Sequence, residues 1–239
     1  MSALEQLLQV QALDTSADQL RHRRAHLPER TELDAVQSAL AALDKKAAEV
    51  QAQRDELARN EKRLEDEIAL VREKAVQTDK TLYSGTINAP KELTALQEEI
   101  DALARRQRQL EDQELELMEQ AEPLDSDLAT FASQRGVLDE QAAGLLARIA
   151  EEEVVIDAEL ADVLSQRDGA VAGVPSELLD EYQSLRRGLG GIAVARLNGN
   201  RCEGCHLTLS AVDVDQIRHG RTEADGVAHC TECNRILVP

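Results

Sequence analysis

The sequence predicts a mainly α protein: a long antiparallel coiled-coil helical hairpin, followed by a small C-terminal α+β zinc ribbon. Three observations carry that prediction. Apolar residues recur at alternating steps of three and four over two long stretches, one short polar segment separates the stretches, and two Cys-x-x-Cys pairs lie near the C-terminus. Composition agrees, with aromatic residues at 1% of the 239-residue chain and charged residues at 31%. Globular cores draw on large aromatic side chains, whereas an Ala/Glu/Leu/Arg/Gln bias suits long helices.

The first stretch runs from Leu33 through Val36, Leu40, Leu43, Leu57, Leu64, Ile68 and Val71 to Ala75, and Arg54 and Glu61 interrupt it. The second runs from Leu93 through Ile100, Leu110, Leu117, Leu128, Phe131 and Leu145 to Ile156, interrupted at Gln107, Glu114, Arg135 and Glu152. A seven-residue repeat kept up this long specifies a left-handed coiled coil. In an antiparallel pair, facing core positions have residue numbers of constant sum. A sum of 171 puts Ile68 beside Leu103 and Leu33 beside Leu138, with the midpoint between Gly85 and Thr86. An earlier stretch with Val10, Leu13, Ala17 and Leu20 meets Ile149 and Ile156 at a sum near 169. The slip coincides with a break expected near 27–30, where Pro28 cannot continue a helix. Pro123 predicts a bend in the long returning helix.

The segment "KTLYSGTINAPKEL", residues 80–93, forms the tip, near 80–91. Gly85 is free to take the positive φ of a reversal, and Pro90 suits the first turn of the returning helix. Those two residues account for a turn. They do not account for Tyr83, one of three aromatic residues in the chain, nor for Lys80 and Lys91 on an otherwise acidic stretch. Tyr83, Ser84, Gly85, Thr86 and Lys91 are therefore the candidate partner-binding residues: hydroxyls, lysines and a helix N-terminus together suit an anionic group.

The hairpin domain is expected over 1–170 and the zinc ribbon, with a leading helix, over 171–239. Pro175 and Ser176 open that helix and Gly188 stops it. "GIAVARLNGNRC" reads as a strand and turn, "SAVDVDQIRHG" has room for a short helix, and "RILVP" reads as a last strand. Cys202 and Cys205 form one Cys-x-x-Cys pair, Cys230 and Cys233 the other, with 24 residues between the pairs. Two such knuckles complete a tetrathiolate that holds one structural Zn²⁺ per chain, with iron as the minor option for the same ligands. Gly204 is expected to supply backbone freedom in the first knuckle. His206 directly follows Cys205 and is a substitute ligand at most. A redox dithiol is the competing reading of a single Cys-x-x-Cys, but two pairs without a βαβ context favour metal.

Charge restricts the partners. The chain carries a formal −19, and residues 1–170, with 20 Lys/Arg against 37 Asp/Glu, hold −17 of it. Such a surface repels phosphate backbones, so any RNA or DNA contact must be local. Arg201, Arg218, Arg221 and Arg235 around the ribbon are the candidate nucleic-acid-binding residues. Arg21, Arg23 and Arg24 in "RHRRAH" form a second basic cluster, and on a helix such charge is ordinarily solvated. No signal peptide and no membrane-length apolar run is read, which points to a cytoplasmic protein without a membrane partner. No phosphate loop, dinucleotide fingerprint or nucleophile elbow is present, so neither an enzyme nor a small-molecule substrate is expected.

The acidic hairpin with its "LYSG…PKEL" loop, followed by "RCEGCHLTLS…HCTECNRIL", resembles the bacterial coiled-coil protein family with a C-terminal C4-type zinc ribbon domain. The resemblance covers essentially the whole chain. Cys202, Cys205, Cys230 and Cys233 match the family's zinc ligands; Tyr83, Ser84, Gly85, Pro90, Lys91, Glu92 and Leu93 match its loop. Ala89 stands where the family often has asparagine. The resemblance implies adaptor or regulatory proteins that bind other proteins, transcription and export components among them, as well as RNA. The leading expectation is a non-enzymatic adaptor whose coiled-coil rod presents a zinc ribbon and a tip to partner macromolecules. The alternative is a nucleic-acid-binding regulator acting through the ribbon's basic face.

Overall fold

The computed structural model describes residues 2–219 and 227–239. Among the described residues, five helices and four short strands follow in the order α1 (Ala3–Ala25), α2 (Pro28–Leu82), α3 (Pro90–Val171), α4 (Ser176–Gly188), β1 (Val194–Asn198), β2 (Arg201–Cys202), α5 (Ala211–Arg218), β3 (Ala228–His229) and β4 (Ile236–Val238). The chain forms two compact units, Glu32–Leu145 and Met1–Thr31 with Leu146–Pro239.

The unit 32–145 is the coiled coil. Its α2 and α3 segments follow the heptads, with Leu43, Leu64, Ile68, Leu110, Ala121 and Leu145 buried. The register differs from the sum of 171. Leu64, Ile68 and Leu110 form one cluster onto which Val71 and Leu117 pack, and the ion pairs Arg54–Asp125 and Asp44–Arg135 each sum to 179. Lys74–Glu99 and Glu67–Arg106 at 173 and Arg72–Glu111 at 183 lie evenly to either side of 178. The facing positions therefore sum to about 178, one heptad beyond the expected value. A shift of seven residues keeps every core position opposite a core position, so the pattern itself cannot tell the two registers apart. The midpoint moves from between Gly85 and Thr86 to Ala89, just before Pro90.

α3 runs through Pro123 without interruption. Gly85 takes φ 72°, as a reversal requires. The Ser84 hydroxyl donates to the Thr81 carbonyl at 2.8 Å and meets the Thr86 hydroxyl at 2.6 Å, and Thr86 N–H donates to Ser84 Oγ. Tyr83 is 77% exposed.

The other unit joins the chain's two ends. Ser2 caps α1 with Glu5 completing a capping box; each returns a bond to the other's backbone N–H, filling donors that the first turn leaves open. Leu7 and Val10 of α1, Leu178 and Tyr182 of α4, and Val194, Ile236 and Val238 of the sheet make one buried core. Gln11 acts as a strand substitute: its Oε1 accepts from the N–H groups of Ala193 and Val194 at 2.7 and 2.6 Å, and its Nε2 donates to the Val194 carbonyl. α1 ends where expected, with His26 as its C-cap and Pro28 opening α2.

The α1–α3 register also differs from expectation. Arg24 meets Glu153 and Asp157, and Asp14 meets Arg167, giving sums of 177 to 181 in place of the expected sum near 169. Charge sets it. Asp14, only 6% exposed, accepts from Arg167 Nε at 2.5 Å and from the Tyr182 hydroxyl at 2.8 Å. Arg186 donates to the Asp14 carbonyl and to Asp18. A buried carboxylate persists only where partners satisfy it, so α1, α3 and α4 are held in one alignment. The basic cluster belongs to the same arrangement: Arg23 pairs with Glu152 and Glu159, and Arg24 with Glu153 and Asp157.

Candidate metal centre

The sheet that carries the cysteines has the order β2-β1-β4-β3. β1 and β2 form an antiparallel hairpin, β1 runs parallel to β4, and β3 pairs antiparallel with β4. Each cysteine pair leaves the sheet as a knuckle. In both, the residue after the second cysteine turns back: His206 N–H donates to the Cys202 carbonyl at 2.8 Å and Asn234 N–H to the Cys230 carbonyl at 2.9 Å. His206 at φ 63° and Asn234 at φ 58° adopt the left-handed conformation to do so. That corrects the expected part of Gly204, which is not among the positive-φ residues. Gly204 is required for space: a Cβ there would stand 2.5 Å from Arg235 Cδ and 3.0 Å from Ala195 Cβ.

The four sulfurs converge. Cys202 Sγ lies 3.9 Å from Cys233 Sγ and Cys205 Sγ 3.8 Å from Cys230 Sγ, and all four are within 4.8 Å of one another. Four thiolates at the usual Zn–S length of about 2.3 Å stand about 3.8 Å apart around a tetrahedral ion. The donor set and its spacing fit Zn²⁺. Burial pushes the Cys230 thiol up to about 12. Burial also acts on Cys233, but hydrogen bonds from the backbone N–H and side chain of Arg235, together with those from Cys230 and Cys205, outweigh it and bring that thiol down to about 7. A cation at the centre supplies what Cys230 lacks, since coordinating thiols are deprotonated outright. Cys202 and Cys230 are themselves buried in the ribbon core beside Leu197, Leu209, Ile217 and Leu237.

Two arginines brace the knuckles. Arg201 Nε donates to the His206 carbonyl at 2.9 Å, and Arg235 donates to the carbonyls of Ile192 at 2.9 Å and Leu189 at 3.4 Å. Arg218 donates to the Gly199 carbonyl at 2.9 Å. Three of the four arginines read as candidates for nucleic acid thus tie backbone together, and Arg221 lies outside the described residues. His206 serves by its backbone; its replacement by glycine is expected to keep one zinc per chain. Replacement by valine, which resists φ above zero, should weaken the ribbon by about 1–2 kcal/mol, read as faster zinc loss to a competing chelator.

A family model of the CT398-like coiled coil hairpin domain matches residues 10–190. The chain belongs to the CT398-like coiled-coil hairpin family. A second model, of the C4-type zinc ribbon domain, matches residues 201–237, the stretch holding all four cysteines. Among curated relatives of this CT398-like chain are two uncharacterized proteins of Mycobacterium tuberculosis, each 32% identical over 97% of this chain and 93% of the relative. A solved structure from Mycobacterium smegmatis superposes with a TM-score of 0.86 at 24% identity, covering 99% of this chain and 97% of that one. CT398 of Chlamydia trachomatis gives 0.71 at 22% identity, over 98% and 96% of the two chains. HP0958 of Helicobacter pylori gives 0.51 at 19%, also over 98% and 96%. These likenesses establish the fold. Neither matching family model is that of an enzyme. No described helix is long and apolar enough to cross a membrane.

Proposed function

We propose that this zinc-binding coiled-coil protein is a non-enzymatic adaptor, with the hairpin tip as a docking site for a partner protein. Tyr83 carries the reading. A ring left 77% exposed, in a chain with only three aromatic residues, is no part of a buried core, while large aromatic side chains are the common anchors of protein interfaces. Ser84 and Thr86 spend their hydroxyls on the turn, so recognition narrows to Tyr83 and Lys91, on either side of Gly85. Lys91 borders a shallow cleft with Pro90, Thr94 and Glu98.

The zinc ribbon is structural in this reading: it holds the sheet that α1 and α4 pack upon. A nucleic-acid role for Arg201, Arg218 and Arg235 has less support, since each is committed to a carbonyl. The proposed cytoplasmic setting agrees with four unpaired thiols poised for metal, as disulfides are rare there.

Replacing Tyr83 and Lys91 with alanine is the test, read by partner capture from the native cell with and without nuclease. Capture lost at unchanged melting temperature, and insensitive to nuclease, supports the adaptor. Capture abolished by nuclease in the wild-type protein would instead favour the nucleic-acid regulator.

A further inference from the structure

Three of the five interruptions of the heptad pattern within 32–145 fall at one place. Arg54 and Glu61 of α2 and Glu114 of α3 line a groove of about 570 Å³ between the two helices. Its lining spans Arg54 to Glu65 on α2 and Glu114 to Asp125 on α3, which at about 1.5 Å per residue is three helical turns long. Leu115 and Met118, 57% and 55% exposed, form an apolar wall. Around it stand six carboxylates and a single guanidinium, Arg54.

Arg54 does not neutralise them. Its Nη1 donates to Glu61 Oε2 at 3.2 Å and its Nε to Asp125, whereas Glu61 Oε1 is buried with no hydrogen-bond partner. A buried carboxylate oxygen without a donor is costly, and exposed leucine and methionine in the same groove add apolar surface left in water. A metal ion does not answer this, because among the described residues only the four cysteines bring enough ligand atoms together to hold one. A second copy of the chain, at −19, brings more negative charge, and a phosphate backbone does the same.

We propose that this groove seats a basic amphipathic helix of a partner protein, about three turns long. It sets a lysine or arginine against Glu61 and its neighbours and apolar side chains against Leu115 and Met118. A helix laid along the groove between two others is an established recognition mode, read through anchors three and four residues apart. The site stands apart from the tip and does not depend on it.

The test uses the zinc-loaded full chain and a synthetic leucine–lysine peptide of about three amphipathic turns, with a sequence-scrambled peptide of the same composition. Calorimetric titration at physiological ionic strength is expected to show binding of the amphipathic peptide and at least about tenfold weaker binding of the scrambled one. Glu119→Lys with Glu122→Lys should weaken binding by about tenfold or more. The same reversal at Glu151→Lys with Asp162→Lys, in the other unit, should leave it within about threefold. Leu115→Ser with Met118→Ser, which removes no charge, should also weaken it. Equal loss in both charge-reversed variants, equal binding of the scrambled peptide, or no binding to the wild type would overturn the proposal. Tyr83→Ala leaves this titration unchanged, so the groove and the tip stand or fall separately.

Discussion

Cys230→Ser is expected to leave the protein without stoichiometric zinc and the ribbon unfolded, while most of the helical signal persists. The ribbon core is made of small and aliphatic side chains, Ala195, Leu197, Leu209, Val214, Ile217, Ala228 and Leu237 around two of the cysteines. So small a core supplies few kilocalories on its own, against an apparent binding free energy of about 10–16 kcal/mol for a structural zinc site. The loss should not stop at the knuckles. Val194, Ile236 and Val238 belong to the core that also buries Leu7, Val10, Leu178 and Tyr182, so α1 and α4 lose their support together with the sheet. Hydrogen exchange should speed up in residues 3–25, 176–218 and 228–238, and remain slow at the buried positions of 32–145. Removal of zinc by a chelator should reproduce the pattern. A metal-free variant with a protease-resistant ribbon and slow exchange in α1 would refute this account.

Asp14→Ala should be the most damaging single change away from the metal. It leaves Arg167 facing a buried space and takes the acceptor from the Tyr182 hydroxyl. Removing one partner of a buried pair costs about 3–5 kcal/mol, whereas replacing both with apolar residues is often close to neutral. Asp14→Leu combined with Arg167→Met should therefore recover much of the loss in denaturant unfolding. If the single and double variants were equally unstable, the ion pair would not be the cause.

The same cluster sets an alkaline limit. Burial, and then its bond to Asp14, pushes the Tyr182 hydroxyl above the ordinary tyrosine range. An unfolded tyrosine ionises near about pH 10. Above that pH the unfolded chain binds fewer protons than the folded one, so stability falls as pH rises. Tyr182→Phe should remove that part of the slope.

What the sequence discloses follows from which rules are local. The heptads, the two prolines at helix starts, and the doubled Cys-x-x-Cys spacing each act within a few residues, and they foretell the helices, the reversal and the zinc ligands. Register is not local. A repeat of seven is satisfied again after seven, and only side chains such as Arg54 and Asp125, far apart in sequence, separate 171 from about 178. Asp14 lies beside the stripe of Val10, Leu13, Ala17 and Leu20 and gives no sign in the sequence that it is buried, until Arg167 and Tyr182 stand beside it. Gln11 gives no sign in the sequence that it will complete a strand edge. The left-handed His206 and Asn234 had a faint signal, since both are polar residues directly after the second cysteine of a knuckle, and asparagine tolerates that conformation better than most.

The joining of the two chain ends in one compact unit bears on how the protein is made. Residues 32–145 form a compact unit of their own, and its buried cluster of Leu64, Ile68 and Leu110 is complete once α3 has emerged. Leu7 and Val10 are buried later, because the residues that bury them include Tyr182, Val194, Ile236 and Val238. At about 5–20 residues per second, the apolar face of the first helix waits roughly 10–40 seconds for the last strand. During that interval the nascent chain leaves Leu7 and Val10 without the residues that bury them, and nascent-chain binding factors have their opportunity there.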